Sequence, residues 1–226
     1  MTSKLLKKLD TKSEVNSQYF HLHNRRYIGS KYKLTEWIFS ILLKECKGSS
    51  FADIFAGTGV VAAKATENFN KVIVNDFLFS NHLIYKAFFS AGLKNQKKIK
   101  ELVHQYNNLD ADKLNENYFS KNYGGKYYSN KTSKIIGFIR DDIEQNIENL
   151  TEKEYCILIA SLIYSIDKIA NTVGHYEAFF KKNDLNEKFN MKLIKPINTK
   201  NVSIFRKDAN VLVKEIKSLG LNIELK

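Results

Sequence analysis

Residues 51–59, Phe-Ala-Asp-Ile-Phe-Ala-Gly-Thr-Gly, constrain the fold more than any other part of the chain. Residues 51–55 are apolar and aromatic enough for a buried strand, and the glycines after them allow a sharp turn that presents backbone N–H groups to a ligand. Residues 58–68 then have the pattern of a helix and residues 71–75 that of a second strand, which ends just before Asp76. An acidic side chain in this position typically meets the ribose hydroxyls of a nucleoside bound over the first turn.

On the glycines alone, an ordinary tight turn is an equal alternative. A dinucleotide fold would carry Gly-x-Gly-x-x-Gly, but residues 60–62 are Val-Val-Ala, so a nucleoside without phosphates fits better than a pyrophosphate. Residues 55–59 resemble the S-adenosylmethionine (SAM) motif of Dam-like methyltransferases of the alpha-type motif order, which act on the amino group of DNA adenine. The resemblance implies that SAM is the cofactor. It implies cofactor contacts for Asp53, Phe55, Ala56, Gly57, Thr58, Gly59 and Asp76.

A second segment with the same resemblance precedes this motif. In the Dam-like family, an aromatic-x-Gly-x-Lys segment closes over the methionine end of SAM, and residues 27–31, Tyr-Ile-Gly-Ser-Lys, match that form. The resemblance implies that Lys31 pairs with the cofactor carboxylate and that Tyr27 lines the pocket. A basic loop leading into the next helix is the alternative. That helix is amphipathic, with apolar residues at the helical spacing: Leu34, Trp37, Ile38, Ile41 and Leu42.

Composition limits the class of protein and of partner. The 226 residues carry a net charge of +12, which favours a polyanionic partner, although a lysine-rich composition explains part of the excess. Cys46 and Cys156 are isolated in sequence, which argues against a disulfide framework and a zinc site and favours a reducing cytoplasm. Charged residues interrupt every long apolar run, so we expect neither a membrane-spanning segment nor a membrane partner.

A long helical region interrupts the α/β pattern. Residues 77–91 predict a buried helix, but no third strand follows until residue 202. Instead, residues 95–108, 131–150 and 151–170 have helical periodicity, and the last of these helices begins with the capping-box pair Thr151 and Glu154. The sequence therefore predicts a helical insertion at 93–199 in the place where a DNA target would be recognised.

Two segments of the insertion combine groups that suit nucleic acid. Residues 118–131 form a predicted loop dense in tyrosine, lysine and glycine, which suits base stacking beside phosphate contacts, with a packing loop as an equal alternative. Residues 170–176 break an apolar helix with polar groups and resemble an Ala-Asn-Thr-x-Gly-His-aromatic stretch in a subgroup of these methyltransferases; a helix cap with a structural histidine is the alternative. With the basic segment near the N-terminus, the predicted DNA contacts are Arg25, Arg26, Tyr123, Lys126, Tyr127, Asn171, His175 and Tyr176.

The α/β pattern resumes near the C-terminus. Residues 202–206 predict a strand and residues 208–219 a helix, for which Asp208 is the natural N-cap. In SAM-dependent folds the acidic residue here also accepts a hydrogen bond from the cofactor's adenine, and both roles can hold together. The predicted organisation is a flexible arm at 1–20, a SAM-binding α/β domain at 21–92 and 200–226, and the insertion. The predicted fold class is α/β, an incomplete Rossmann-like SAM-dependent methyltransferase sheet with a large, mainly helical insertion.

One motif of the Dam-like family is missing. Its members carry an (Asp/Asn/Ser)-Pro-Pro-aromatic tetrapeptide after the fourth strand, where it holds the flipped adenine, but the only proline here is Pro196. The resemblance therefore implies the SAM- and double-stranded-DNA-binding part of a site-specific adenine-N6 methyltransferase from a restriction-modification system. Alone it would be inactive, and a missing C-terminal part, for example on a second polypeptide, would complete it. The alternatives are a non-catalytic nucleic-acid-binding module with a degenerate SAM fold, or another Rossmann-like enzyme acting on RNA or a small molecule.

Overall fold

The computed structural model describes residues 18–93, 95–173, 176, 178–181, 185, 188–197 and 199–218. In chain order its helices and strands are α1 (Thr35–Glu45), β1 (Ser50–Asp53), α2 (Val60–Ala65), β2 (Lys71–Asn75), α3 (Phe79–Phe89), α4 (Gln96–Asn107), α5 (Tyr118–Tyr123), α6 (Asn130–Gln145), α7 (Glu152–Ile169), β3 (Val202–Phe205) and α8 (Ala209–Ser218). The three predicted strands are confirmed, with β1 beginning one residue earlier and ending two residues earlier than the sequence predicts.

The strands form a parallel sheet in the order β1-β2-β3, with Phe51 opposite Val72 and Val72 opposite Val202. Successive side chains of a strand point to opposite faces. Val72 and Val74 of β2 accordingly enter the main core with residues of α2 and α3, whereas Ile73 enters a smaller core with Leu212 and Ile216 of α8. Helices therefore cover both faces of the sheet, α2 and α3 on one and α8 on the other.

The helices of the predicted insertion pack against the α/β part. The longest, α7, lies along α3, and α6 contacts both α5 and α7. Ile139 of α6 and Leu158 of α7 belong to the same apolar core as Val72 of the sheet. The helical region thus shares one continuous core with the sheet, and its description as a separate recognition region stays a prediction.

The capping box predicted before α7 is confirmed. Glu154 N–H donates to Thr151 Oγ1 at 3.3 Å, and Thr151 N–H donates to Glu154 Oε2 at 3.0 Å. The predicted loop at 118–131 is corrected, because it contains the short helix α5 and the start of α6. Asn117 caps α5 with its own capping box, in which Ser120 N–H donates to Asn117 Oδ1.

An amphipathic helix is confirmed at α1, but its apolar stripe is mostly uncovered. Leu34, Trp37 and Ile41 are 47%, 63% and 44% exposed. The buried side of the helix is instead centred on Phe39, whose ring lies 5.9 Å from that of Phe51 in β1. Among the residues that the structure describes, no helix is both long and apolar enough to cross a bilayer.

Candidate cofactor site and its link to the helical region

The candidate site lies at the carboxyl ends of the parallel strands, beginning with the glycine turn after β1. Gly57 and Gly59 have φ angles of +53° and +77°, in the left-handed region where other residues are strained. A Cβ at Gly59 would lie 3.0 Å from Cε1 of Tyr85, so the turn is pressed against α3 there. At Gly57 the nearest atom to such a Cβ is Cε1 of Tyr27, at 3.9 Å, which leaves that side of the turn approachable.

Asp76 meets this turn from the end of β2. Its Oδ2 accepts a hydrogen bond from Gly57 N–H at 3.0 Å, and its Oδ1 accepts one from Leu78 N–H at 2.9 Å. An ionised carboxylate offers about four lone-pair sites, so each oxygen can accept one more donor. The structure therefore brings Asp76 and Gly57 together, as the spacing predicts, and leaves acceptor capacity for a hydroxyl pair.

Asp53 is the last residue of β1, just before the turn. Burial raises the pKa of its carboxyl to about 6, an effect that the nearby Asp76 reinforces and that backbone N–H groups of Ala62 and Phe55 oppose. Ala62 lies in the first turn of α2, which begins at Val60. A cofactor contact for Asp53 stays a prediction.

Asn75, which the sequence did not single out, joins the ends of all three strands. Its Nδ2 donates to the carbonyl oxygens of Ile54 at 3.0 Å and Lys207 at 3.1 Å, and its Oδ1 accepts from Lys207 N–H at 2.9 Å. The side chain is only 1% exposed. A buried amide at the end of an otherwise apolar strand was the available signal, because such a group must find partners. Tyr85, also missed, donates its hydroxyl to Gly57 O at 2.7 Å.

The remaining predicted cofactor residues differ in exposure. Phe55 is 78% exposed, whereas Ala56 and Thr58 are buried in the turn. Lys31 is exposed and its Nζ donates to Gly29 O at 2.9 Å. Asp208 is confirmed as the N-cap of α8, since its Oδ1 accepts from Asn210 N–H at 2.9 Å. Its contact with a cofactor stays a prediction.

Arg25 and Arg26, predicted to contact DNA, make internal contacts here. Arg25 Nη1 donates to Asn81 Oδ1 of α3 at 2.5 Å, and its guanidinium lies 5.5 Å from the centre of the Tyr27 ring. Arg26 donates to the carbonyl oxygens of Ala170 and Thr172, just after α7, at 3.2 Å and 2.7 Å. The two arginines therefore hold the Tyr27 segment against α3 and the end of α7.

Asp167 of α7, which the sequence analysis missed, lies among the same groups. Burial raises the pKa of its carboxyl to about 6, while the charges of Arg25 and Arg26 and a hydrogen bond from Tyr176 oppose the rise. Tyr176 in turn shares a hydrogen bond with the hydroxyl of Tyr128 at 2.5 Å. These polar groups link the segment that carries Arg25 and Arg26 to the helical region.

The tyrosines and Asn171 pack together. The ring of Tyr127 lies 6.0 Å from that of Tyr123 and 5.4 Å from that of Tyr176. Asn171 Nδ2 donates to the carbonyl oxygens of Lys126 at 3.0 Å and Phe180 at 2.7 Å. These contacts supply the packing role that was the alternative. The side chain of Lys126 is exposed, and His175 lies outside the described residues. DNA contacts for the tyrosines, Lys126, Asn171 and His175 stay predictions.

Comparison with known proteins identifies the family. Residues 27–219 match the family of D12 class N6 adenine-specific DNA methyltransferases. The chain belongs to this family. It is 32% identical to the modification methylase LlaI of Lactococcus lactis subsp. lactis, over 84% of this chain and 34% of that protein. It is 35% identical to the modification methylase StsI of Streptococcus sanguinis, over 85% of this chain and 32% of that protein.

A third relative of this D12-class chain is shorter. The chain is 30% identical to the type II methyltransferase M.NlaIII of Neisseria lactamica, over 84% of this chain and 60% of that protein. The chain thus spans between about a third and three fifths of the relatives it matches. Membership of the D12 class confirms the resemblance to adenine-specific DNA methyltransferases.

The residues at the strand ends fit the methyl donor that methyltransferases typically use, SAM. Asp76 has acceptor capacity for ribose hydroxyls, and the Gly57 side of the turn is approachable. The exposed ring of Phe55 offers an apolar surface beside them. Among the described residues, no group of three metal-ligating side chains occurs.

Proposed function

We propose that this chain is the SAM- and DNA-binding part of a site-specific DNA adenine-N6 methyltransferase of a restriction-modification system. Family membership and the names of the relatives, two modification methylases and a type II methyltransferase, support this proposal. The observation that carries it is the hydrogen bond between Asp76 and the glycine turn at the carboxyl ends of parallel strands. In open parallel sheets of this kind, ligands bind outside the carboxyl ends of the strands.

In the proposed complex, each side chain has a binding task. Asp76 accepts the ribose hydroxyls, and Lys31 pairs with the cofactor carboxylate once it exchanges its bond to Gly29 O for that anion. Tyr27, held by Arg25, covers the open side of Gly57. SAM supplies an activated methyl group, and the task of these residues is to hold it in a fixed orientation toward the target amine.

Calorimetry with S-adenosylhomocysteine tests the cofactor site. Asp76→Ala removes the ribose acceptor and the acceptor for Gly57 N–H, and hydrogen bonds to a charged group contribute about 1.5–3 kcal/mol, so affinity should fall by about tenfold or more. Asp112→Ala is the control, since Asp112 is an exposed carboxylate paired with Lys131. Equal affinity of the wild type and Asp76→Ala would refute the assignment.

DNA binding is the second part of the proposal, supported by the net charge of +12. Exposed lysines such as Lys126 are available for phosphates, whereas Arg25 and Arg26 already serve the fold. Duplex affinity should fall steeply with added salt, because phosphate contacts release counterions. Lys126→Ala should reduce the slope of log K against log salt by about 1, and Lys113→Ala, an exposed lysine paired with Asp110, is the control. Duplex affinity that does not change with salt would contradict the proposal that nucleic acid is the partner.

Catalysis, in this proposal, requires a further part of the protein. The fourth strand with its Pro-Pro-aromatic tetrapeptide would come from a second polypeptide or a C-terminal extension, and the chain alone transfers no methyl group. The partial coverage of the relatives supports this view. The alternative, a non-catalytic DNA-binding module with a degenerate SAM fold, rests on the single proline of the sequence.

A further inference from the structure

Asn171, the second residue after α7, joins three parts of the helical region. Its backbone N–H donates to Tyr127 O at 2.9 Å, and its Nδ2 donates to the carbonyl oxygens of Lys126 at 3.0 Å and Phe180 at 2.7 Å. Because both of these carbonyl oxygens bond the same nitrogen, they lie within about 6 Å of each other. The backbone of Lys126 and that of Phe180 are therefore held side by side.

The side chain of Asn171 has little left to offer a ligand directly. The residue is 9% exposed, and its Oδ1 is covered and accepts no hydrogen bond in the part of the chain that the structure describes. A buried acceptor without a donor costs free energy, so the two bonds from Nδ2 are what this side chain contributes. Arg26 fixes the same point, because it donates to the carbonyl oxygens of Ala170 and Thr172 on either side. Asn171 thus acts on the backbone around it.

The turn that carries Lys126 has a fixed shape. Gly125 has a φ angle of +71°, and its N–H donates to Tyr128 O at 2.8 Å. A Cβ at Gly124 would lie 2.5 Å from Ser120 O, so only glycine fits that position. With the added bond from the buried amide, the backbone of this lysine has one place in the structure.

Two exposed lysines leave the backbones that Asn171 joins. Lys126 is bonded through its own carbonyl, and Lys181 directly follows Phe180. Both side chains are exposed, and neither forms an ion pair with another described residue. A lysine carries a compact charge on a flexible four-carbon stem, so two that start from adjacent backbones can reach neighbouring anions. A nucleic-acid strand presents such anions in a regular row, one phosphate for each nucleotide.

We propose that Lys126 and Lys181 form a paired site for backbone phosphates of double-stranded DNA, and that Asn171 is the positioning residue that sets their separation. The inference rests on the proposed function, to which it adds Lys181 and an indirect role for Asn171. Phosphate contacts carry no sequence information, so the pair contributes to the binding of any duplex. A mixed-sequence duplex is therefore a sufficient probe.

Fluorescence anisotropy with a labelled mixed-sequence duplex over a series of salt concentrations tests the pair. Lys181→Ala should reduce the slope of log K against log salt by about 1, and the combination with Lys126→Ala should reduce it by about 2. Lys113→Ala, whose lysine is paired with Asp110, should keep the wild-type slope. A wild-type slope in Lys181→Ala would overturn the proposal.

A double-mutant cycle shows whether Asn171 acts through the lysines. Asn171→Ala should lower the duplex affinity by about threefold or more when both lysines are present, and should have no effect when both are alanine, because residues that act as one unit are not additive. Asn108→Ala, which removes a single hydrogen bond to His104 O elsewhere in the helical region, is the control. Equal losses in the two backgrounds would mean that Asn171 contacts DNA itself. That result would overturn the positioning role, as would no loss in either background.

Urea unfolding of each variant shows that it is folded. Asn171→Ser, whose hydroxyl can still donate to one of the two carbonyl oxygens, takes the place of Asn171→Ala in the same cycle if the alanine variant does not fold. The paired site and the proposed function fail differently. Salt-dependent duplex binding with a wild-type slope in Lys181→Ala would leave DNA as the partner and refute the paired site. Absence of duplex binding even at low salt would refute DNA as the partner and the paired site together.

Discussion

Asp53 and Asp167 are two carboxyl groups whose pKa the fold raises from 3.8 to about 6, in both cases mainly by burial. Asp76 adds to the rise at the first, while Arg25 and Arg26 oppose it at the second. Between about pH 4 and pH 6 these two groups therefore bind more protons in the folded chain than in the unfolded chain. The contribution of the two carboxyl groups to the free energy of unfolding falls as the pH rises through that window.

Replacing either carboxyl by an amide should remove part of this pH dependence. Each shift corresponds to on the order of 1–3 kcal/mol between the ends of the window, since one pKa unit is about 1.4 kcal/mol. Urea unfolding at about pH 4 and about pH 7 measures the change. The free energy of unfolding should fall less between the two pH values in Asp53→Asn and in Asp167→Asn than in the wild type. Asp112→Asn, an exposed carboxylate, is the control. If both variants lost as much free energy of unfolding between the two pH values as the wild type, the carboxyl groups of Asp53 and Asp167 would not be buried as described.

At the scale of elements, the hydrogen bonds of Asn75 join the ends of the three strands at the candidate site. Asn75→Ala removes three hydrogen bonds and leaves the carbonyls of Ile54 and Lys207 without this donor. Buried polar groups that lose their partner cost about 1–3 kcal/mol each, so the free energy of unfolding should fall by about 2–4 kcal/mol. Urea unfolding measures the change.

The matched control for that change is Asn68→Ala. Asn68 Nδ2 donates to a single carbonyl, that of Lys64, at an exposed position, so its loss should cost much less. If the two variants were equally stable, Asn75 would not join the strands. Asn75→Ala should also weaken binding of S-adenosylhomocysteine, because Asp76 follows it directly in the chain.

For the whole molecule, we expect binding without turnover. The residues proposed to hold SAM are present, but the group that would position the target amine is not found in the sequence. Tritiated methyl transfer to duplex DNA should be absent with this chain alone. It should appear when polypeptide carrying a Pro-Pro-aromatic tetrapeptide completes the sheet, and Gly57→Asp should then abolish it. Transfer by the chain alone would show that the catalytic element has been misidentified.

The sequence by itself determined the local units of this protein. The strand, glycine turn, helix, strand and Asp76 follow one another within residues 50–76, so periodicity and glycine positions predicted their order. The helix is shorter than predicted, since α2 spans Val60–Ala65 and the prediction was 58–68. The capping box of α7 and the N-cap role of Asp208 are also local, since donor and acceptor lie within three residues. These features depend on neighbours in the chain, which a sequence displays directly.

The tertiary structure alone decided which of these units touch and which side chains remain available. Arg26 contacts Thr172, 146 residues away, and Asn171 contacts Lys126, 45 residues away, so neither role could be found from spacing. The apolar pattern of α1 could not indicate that packing centres on Phe39 and leaves Trp37 exposed. Amphipathicity gives the direction of an apolar face but not its neighbour, because burial depends on what the rest of the chain brings against it.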